Sequence, residues 1–226
     1  MKDVNFKQSE DTLFLEEEHI ILKDQIKKFV ETEVKPEGPK WEADGFIPRE
    51  VFKKMGALGF LGITYPAEFG GSEMDVRGSV IFAEELGKST FSGFAIASLV
   101  HTDMASVHLL NAGNREQKEM YLSDIVAGNK ISCVAVTEPH AGSDVKNIKT
   151  KAQKVGNKYL INGSKIFITN GVHADIYFVA AKTSDGSQQS GNITMFIVKK
   201  DNPGLIVNKQ LDKHGWRCSG TAELFF

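Results

Sequence analysis

The stretch of sequence that decides the fold reads Ile131-Ser132-Cys133-Val134-Ala135-Val136-Thr137. It is short and rich in β-branched residues, as strands are. Before it, apolar residues recur at the three- and four-residue steps of amphipathic helices. After it, short apolar runs are separated by turn-forming pairs such as Gly156-Asn157 and Asn162-Gly163. This change of period predicts a helical domain over residues 1–128 and a β domain over residues 129–226.

Apolar periodicity, with start and stop signals, predicts five helices in the first half. The run Ser92–Leu110 is apolar along most of its length, so its helix should be buried. Asn114 should cap the last helix, because Glu116 and Gln117 follow at capping positions. The predicted helices are Asp11–Val34 (ended by Pro36, Gly38 and Pro39), Pro48–Leu58, Val76–Leu86, Ser92–Leu110 and the one that Asn114 begins.

Apolar runs beyond Thr137 predict further strands. They are 158–161, 165–169, 176–180, 193–198, 204–207 and 221–226. Short strands at this spacing are typical of a sheet sandwich or barrel, so the predicted fold class is α+β, multidomain, with a helical domain followed by a β-sandwich or barrel-like domain. The last run ends on Phe225-Phe226. Because an unpaired apolar strand at a terminus is unusual, we expect a chain cut short; the alternative is a terminus that pairs with the sheet.

The composition narrows the class of protein. The 226 residues are 41% hydrophobic and 25% charged, as in ordinary globular proteins. A formal charge of −2 provides no basic field for nucleic acid or an anionic membrane. Cys133 and Cys218 lack metal-ligand spacing, so no metal site is expected, and a reducing intracellular compartment is the default. No apolar run approaches the about 20 residues of a membrane helix, and Met1–Glu18 lacks targeting features, which favours the cytoplasm.

Two segments carry residues suited to a flat, phosphate-bearing cofactor. In Val134–Asp144 a strand bends at Pro139 and then offers Gly142, which can approach a ligand closely, next to a hydroxyl and a carboxylate. A flavin edge needs hydrogen bonds from backbone groups and a hydroxyl, and a pyrophosphate needs N–H groups and hydroxyls without opposing bulk. Taken alone, this segment is also explained as a strand and an ordinary capped turn. In Asn162–Gly171, strand alternation places Phe167 and Thr169 on one face, where they could stack on and hydrogen-bond to a flat ring. The alternative is a hairpin strand with Phe167 in the core.

Four ordered motifs together resemble the acyl-CoA dehydrogenase family. The first two are Thr137-Glu138-Pro139-x-Ala141-Gly142-Ser143-Asp144 and Asn162-Gly163-x-Lys165-x-Phe167-Ile168-Thr169-Asn170-Gly171. The others are Lys213-x-Gly215-x-Arg217-x-Ser219-x-Thr221 and Tyr65-Pro66-x-x-Phe69-Gly70-Gly71. The resemblance covers nearly the whole chain. Within the family, Ser98–Asp103 and Thr221–Phe226 look most like the long-chain or branched-chain branch.

The resemblance implies a helical domain, a middle β domain and a C-terminal helical bundle, with FAD between the last two. It assigns to the cofactor Val134, Val136, Thr137, Gly142, Ser143, Phe167, Ile168 and Thr169. Phe167 should stack on the isoalloxazine where many relatives carry Trp, and Thr169 should reach the reactive flavin nitrogen. Ser143 and Ser190 are implied contacts of the acyl-CoA substrate. His140 stands where relatives often have Gly, which would be costly if that position needed a positive φ.

The implied reaction is α,β-dehydrogenation of a fatty or branched acyl-CoA, with electrons passed to an electron-transferring flavoprotein. The family's base is a glutamate of the bundle, so no catalytic residue is assigned in this chain, and the chain alone is expected to be inactive. Glu138 is expected to be structural, and His101 to be a packed core or pocket-wall residue. The resemblance also implies a homotetramer, in the cytoplasm or the mitochondrial matrix. The alternatives are an acyl-CoA oxidase, a flavin monooxygenase, or a non-catalytic two-domain protein that binds flavin or a partner.

Overall fold

The computed structural model describes residues 14–184 and 192–226. Its first part is helical. The helices are α1 (Glu17–Phe29), α2 (Lys35–Asp44), α3 (Arg49–Ala57), α4 (Val76–Gly87), α5 (Ser92–Leu99), α6 (Val107–Ala112) and α7 (Arg115–Val126), with π-helical turns over Val30–Val34 and Val100–Ser106. A core between α1, α3, α4 and α5 holds these helices together through buried aliphatic and aromatic side chains such as Ile26, Phe52, Phe82 and Phe94.

The first helix does not end where its prolines predicted. A π-helical turn at Val30–Val34 leads directly into α2, which contains Pro36 and Pro39 and ends at the left-handed Gly45. Pro36 lies in the first turn of α2, where a helix needs no N–H donor, so it can be accommodated there. Trp41 is buried in the helical core, and this packing keeps α2 helical beyond Pro39.

The helix after Asn114 begins as predicted. The Asn114 side chain accepts a hydrogen bond from the Gln117 amide at 2.8 Å, and the Gln117 side chain accepts one from the Asn114 amide at 2.9 Å. This reciprocal pair satisfies two of the amides that a helix start leaves unpaired. α7 therefore starts at Arg115, one residue after its cap.

The helical run Ser92–Ala112 corrects one expectation from the sequence. With 21 residues and high mean hydropathy, it is long and apolar enough to cross a membrane by these two criteria. More than half of it is buried inside the protein, as predicted for this helix, and buried core helices meet the same criteria. Its residues Phe94 and Ala97 pack in the helical core, while Ala105 and Leu109 pack against the β part.

The second part consists of two sheets. The strands are β1 (Ser132–Ala135), β2 (Lys151–Val155), β3 (Lys158–Asn162), β4 (Ser164–Ile168), β5 (Ile176–Ser184), β6 (Asn192–Lys199), β7 (Ile206–Gln210) and β8 (Ala222–Phe225). In the larger sheet, β5 pairs in parallel with β1 and then β2, and antiparallel with β6; β2 continues to β3. The smaller sheet has the order β4-β8-β7.

The two sheets enclose a common core, which confirms the predicted sandwich. Cys133 and Tyr177 of the larger sheet meet Ile168 and Leu224 of the smaller one. On its other face the larger sheet packs against α6 and α7, where Phe178 joins the second core. Because helices and strands share these contacts, the division at residue 129 into independent domains stays a prediction.

Two sequence predictions about strands were wrong. β2 was not predicted, because Lys151-Ala152-Gln153-Lys154-Val155 is mostly polar and buries only Ala152. The terminal strand β8 is not unpaired, since it lies between β4 and β7 and hydrogen-bonds to both. Its apolar residues Ala222 and Leu224 are buried because both edges and one face are covered.

Candidate cofactor site

The fold brings the two predicted cofactor segments into direct contact. The Ile166 amide donates a hydrogen bond to the Thr137 carbonyl at 2.9 Å. The Lys165 ammonium donates to the Val136 carbonyl, also at 2.9 Å. Residues almost thirty positions apart in the chain therefore lie side by side, just after β1 and within β4.

Glu138 is the buried centre of this junction. Its carboxylate accepts hydrogen bonds from Lys165 Nζ at 2.8 Å and from the Thr150 amide at 3.0 Å, and the Lys149 amide is a further donor. Burial by itself raises the pKa of this carboxyl group, but these donors outweigh it and lower the pKa to about 2. Glu138 is therefore ionised and structural, as expected. Sequence reasoning assigned no role to Lys165, although a lysine in an apolar strand was a visible signal.

His140 is accommodated without backbone strain. The turn closes through reciprocal backbone hydrogen bonds between Glu138 and Ala141, at 3.0 and 3.1 Å. His140 does not adopt a positive φ in this turn, so a side chain in place of glycine costs little here. Its Nε2 lies 3.3 Å from the Glu138 carboxylate.

Phe167 is exposed in a strained conformation. Its φ is 61° and 64% of its surface is accessible, so the alternative that it packs in the core is wrong. The register of β4 against β8 shifts between Lys165 and Ile168, where a β-bulge breaks the simple alternation on which the sequence prediction rested. A left-handed phenylalanine costs about 1–2 kcal/mol, and such strain is concentrated at functional sites.

The other predicted residues differ in their exposure. Half-buried side chains are Val134, Val136, Thr137 and Thr169, and exposed residues are Gly142 and Ser143. Ile168 is buried in the sandwich core, so only its main chain is available to a ligand. Ser190 lies outside the described residues. In the described part of the chain, the hydroxyls of Thr137, Ser143 and Thr169 make no hydrogen bond to protein atoms, and none of them is among the buried unpaired polar atoms, so they are available to solvent or to a ligand.

Asn170, the next motif residue, fixes the site to the helical part. Its side-chain amide donates to the carbonyl of Ala97 in α5 at 2.8 Å and to that of Ser132 in β1 at 3.3 Å. Its φ of 63° is left-handed, a conformation that asparagine tolerates better than most residues. The sequence motif contained this residue without indicating that its role is structural.

Replacing Asn170 should separate these two contributions. Asn170→Ala loses both hydrogen bonds and keeps an unfavourable φ, so we expect the free energy of unfolding to fall by about 2–4 kcal/mol. Asn170→Gly loses the same hydrogen bonds but tolerates the φ. Its free energy of unfolding should therefore fall by about 1 kcal/mol less than that of Asn170→Ala. Urea denaturation of the two variants measures this difference. Equal losses would show that the left-handed backbone contributes nothing.

His101 is also structural, as predicted. Its Nε2 lies 3.0 Å from the Ile125 carbonyl, while its Nδ1 lies 3.1 Å from the Ser132 amide. Because the amide can only donate, Nδ1 is the acceptor and the proton is on Nε2. Burial lowers the pKa of this histidine to about 4, so it is neutral at physiological pH.

The surface built around Phe167 fits a flat heteroaromatic ring. The exposed Phe167 ring follows Ile166, whose amide is hydrogen-bonded to Thr137; Thr169 lies two positions further along, and Gly142 and Ser143 are exposed beyond the Glu138 turn. Stacking on an aromatic side chain and hydrogen bonding to ring edges are what a flavin needs from a protein. The buried carboxylate at the centre of this junction, Glu138, is held by Lys165 and two backbone amides, so it is not assigned as a base for a carbon-bound proton.

Comparisons with known proteins agree with the four motifs. Residues 16–129 match the family model "Acyl-CoA dehydrogenase, N-terminal domain", and residues 133–226 match "Acyl-CoA dehydrogenase, middle domain". Mitochondrial isovaleryl-CoA dehydrogenase of Pongo abelii is 39% identical over 215 residues, which cover 94% of this chain and 51% of that protein.

Solved structures show the same similarity. Acyl-CoA dehydrogenase from Geobacillus kaustophilus matches with a TM-score of 0.89 and 40% identity, over 95% of this chain and 56% of that one. An acyl-CoA dehydrogenase from Bacillus anthracis, solved in complex with FAD, matches with a TM-score of 0.85 and 32% identity, over 94% of this chain and 36% of that one. This chain thus spans about half the length of the curated relatives it matches. The chain belongs to the acyl-CoA dehydrogenase family.

Proposed function

We propose that this chain forms the N-terminal and middle parts of an FAD-dependent acyl-CoA dehydrogenase. The observation that carries the proposal is Phe167, an aromatic residue exposed at a left-handed φ on a bulge that is hydrogen-bonded to the Thr137 segment. Strained backbone conformations are concentrated at ligand sites, so a ligand that covers the Phe167 ring accounts for both its strain and its exposure. The FAD complex of the Bacillus anthracis relative supports the choice of ligand.

Each site residue has a role that its environment permits. Phe167 would stack against the isoalloxazine, without the N–H donor that tryptophan would add. The hydroxyls of Thr137 and Thr169 would hydrogen-bond to the ring, and Gly142 and Ser143 would hold the ribityl and phosphate part. Val134 and Val136 would offer apolar surface to the flavin, and Ile168 would offer only main-chain contacts.

The bound flavin supplies the hydride acceptor for the α,β-dehydrogenation of an acyl-CoA thioester. Ser143 and Ser190 contact the substrate in this proposal. No residue of this chain is assigned as the base, since a glutamate from a C-terminal bundle performs that step in the family. The proposed partners are an electron-transferring flavoprotein and further copies of the chain in a homotetramer, in the cytoplasm or the mitochondrial matrix.

Anaerobic mixing of the FAD-loaded chain with acyl-CoA tests the assignment of the base. We expect no substrate-dependent bleaching of the flavin, because the family's base is a glutamate of the C-terminal bundle and no residue of this chain is assigned that role. Bleaching would show that a residue within these 226 positions removes the α proton. Oxygen consumption after air is admitted to the same mixture would favour the oxidase or monooxygenase alternatives.

Substitutions of Phe167 test the flavin site directly. Phe167→Ala removes the stacking surface, so we expect FAD affinity to fall at least tenfold, or about 1.4 kcal/mol, in a titration followed by flavin fluorescence. Phe167→Trp keeps an aromatic ring and should bind FAD at least as tightly as the wild type. Phe14→Ala, which removes another exposed aromatic ring, is the control and should change nothing. Equal affinity of Phe167→Ala and wild type would contradict the proposed site.

A further inference from the structure

Lys165 is the most deeply buried cation in the described part of the chain. Its side chain is inaccessible to solvent, and the Glu138 side chain that pairs with it is only 2% accessible. Burying a lone ammonium group would be very costly, so a lysine at this buried position requires a carboxylate partner such as Glu138. Apolar residues of similar volume usually stabilise a fold equally well, which means that stability alone does not explain why a buried ion pair is present.

The contacts of Lys165 indicate what the pair fixes. Its ammonium group connects the start of the β4 bulge to the Val136 carbonyl, the residue immediately before Thr137. One position further along, the Ile166 amide binds the Thr137 carbonyl. These two hydrogen bonds directly link the strand that presents Phe167 to the segment that presents Thr137.

The bulge needs such an anchor because a regular register is the simpler alternative. A bulge places one extra residue in β4 between Lys165 and Ile168, and β8 offers no partner for it. A slip of one residue would move alternate side chains to the opposite face of the sheet. Phe167 would then leave its left-handed conformation, and the direction of its side chain would change.

We propose that Lys165, held by Glu138, is a positioning residue that locks the register of the β4 bulge and thereby orients Phe167 and Thr137 toward the flavin. This inference rests on the proposed function, because the orientation has a use only if FAD binds there. Lys165 touches no part of the flavin itself; it acts through the Val136 carbonyl and through the backbone of the bulge.

Lys165→Met tests the proposal, since methionine fills a similar volume without a charge or donor. We expect the dissociation constant of FAD to rise at least tenfold and the visible circular dichroism of bound flavin to change. Arg49→Met is the matched control: it breaks a half-buried ion pair between α3 and Asp175 (2.6 Å), and Arg49 hydrogen-bonds only to Asp175 and His173 in the described part of the chain, not to Val136 or the β4 bulge. Each protein is measured at the same number of degrees below its own melting temperature. Under these conditions the Arg49→Met control should bind FAD within twofold of the wild type.

Amide hydrogen exchange of Ile166 provides a second readout that needs no flavin. In apo Lys165→Met we expect this amide to exchange at least tenfold faster than the change in global stability accounts for. In Arg49→Met its exchange rate should change only as much as global stability does. If wild-type protein does not bind FAD, the proposed function fails, and the exchange data still decide whether Lys165 locks the bulge. Equal FAD affinity and equal Ile166 protection in the two variants would overturn the positioning role.

Glu138→Gln serves if Lys165→Met does not fold. It leaves the lysine in place but removes the carboxylate that holds it, so the same two changes are expected, each smaller than in Lys165→Met. Wild-type values for Glu138→Gln in both measurements would equally contradict the proposal.

Discussion

A Gly128→Ala variant is expected to lose about 2–5 kcal/mol of folding free energy, a large share of the total stability of an ordinary domain. Gly128 lies between α7 and β1, at the joint that leads into the cofactor segment. Its φ of 72° is left-handed, and an added Cβ would lie 2.2 Å from the Phe52 carbonyl oxygen. That oxygen belongs to the backbone of α3, so the methyl group can be accommodated only by moving a helix.

Gly156→Ala is the matched control for this prediction. Gly156 has a similar φ of 60°, but its position in the β2–β3 turn leaves open space around an added Cβ. Gly156→Ala should therefore lose only the folding free energy that the left-handed φ costs an alanine, about 1–2 kcal/mol. Urea denaturation of both variants compares their midpoints at unchanged slope. Equal losses would show that the close approach of α3 to the joint does not matter.

Stability is expected to fall by about 3 kcal/mol between pH 6.5 and pH 4 because of His101 alone. Burial lowers the pKa of this histidine from 6.5 to about 4 in the folded state. Above pH 6.5 the histidine is neutral in both states, and its full contribution is present. As the pH falls toward 4, the unfolded chain takes up a proton that the folded chain excludes, so stability is progressively lost.

His101→Gln isolates this contribution, because glutamine does not titrate and can still hydrogen-bond to one of the two neighbours. Other groups titrate in the same range, including His108 and His173, whose pKa values are also lowered by burial. The measurement is therefore the difference between wild-type and variant stability at each pH. That difference should shrink as the pH falls from 6.5 to 4, and a constant difference would contradict a buried, neutral His101.

The candidate site shows which of its features residue patterns could predict and which they could not. The motifs placed Phe167 and Thr137 in one site, and the structure does bring their segments together. Strand alternation could not predict the orientation of Phe167, because a bulge adds one residue and shifts the register. Bulges depend on what the neighbouring strands can bind, and β8 is more than fifty positions away in the chain.

Structural roles inside the motifs were likewise invisible to local patterns. Glu138 and Lys165 belong to different motifs, and nothing in either motif indicates that they form one buried pair. Asn170 resembles a turn residue in the sequence, yet its side chain reaches a helix that precedes it by about seventy positions. Such contacts arise only when distant segments are packed together, since burial makes each polar group find a partner.

By itself, the sequence determined the order of a helical part and a β part, the cap at Asn114, the sandwich and the family. These features depend on local periodicity, on turn and cap chemistry, and on motifs that are contiguous in the chain. Only the tertiary structure decided that α2 continues through its prolines, that the polar β2 is a strand, and that Phe167 is exposed at a left-handed φ. In each of these cases a contact with a distant segment outweighs a weak local preference, because packing and buried hydrogen bonds are worth more than intrinsic propensity.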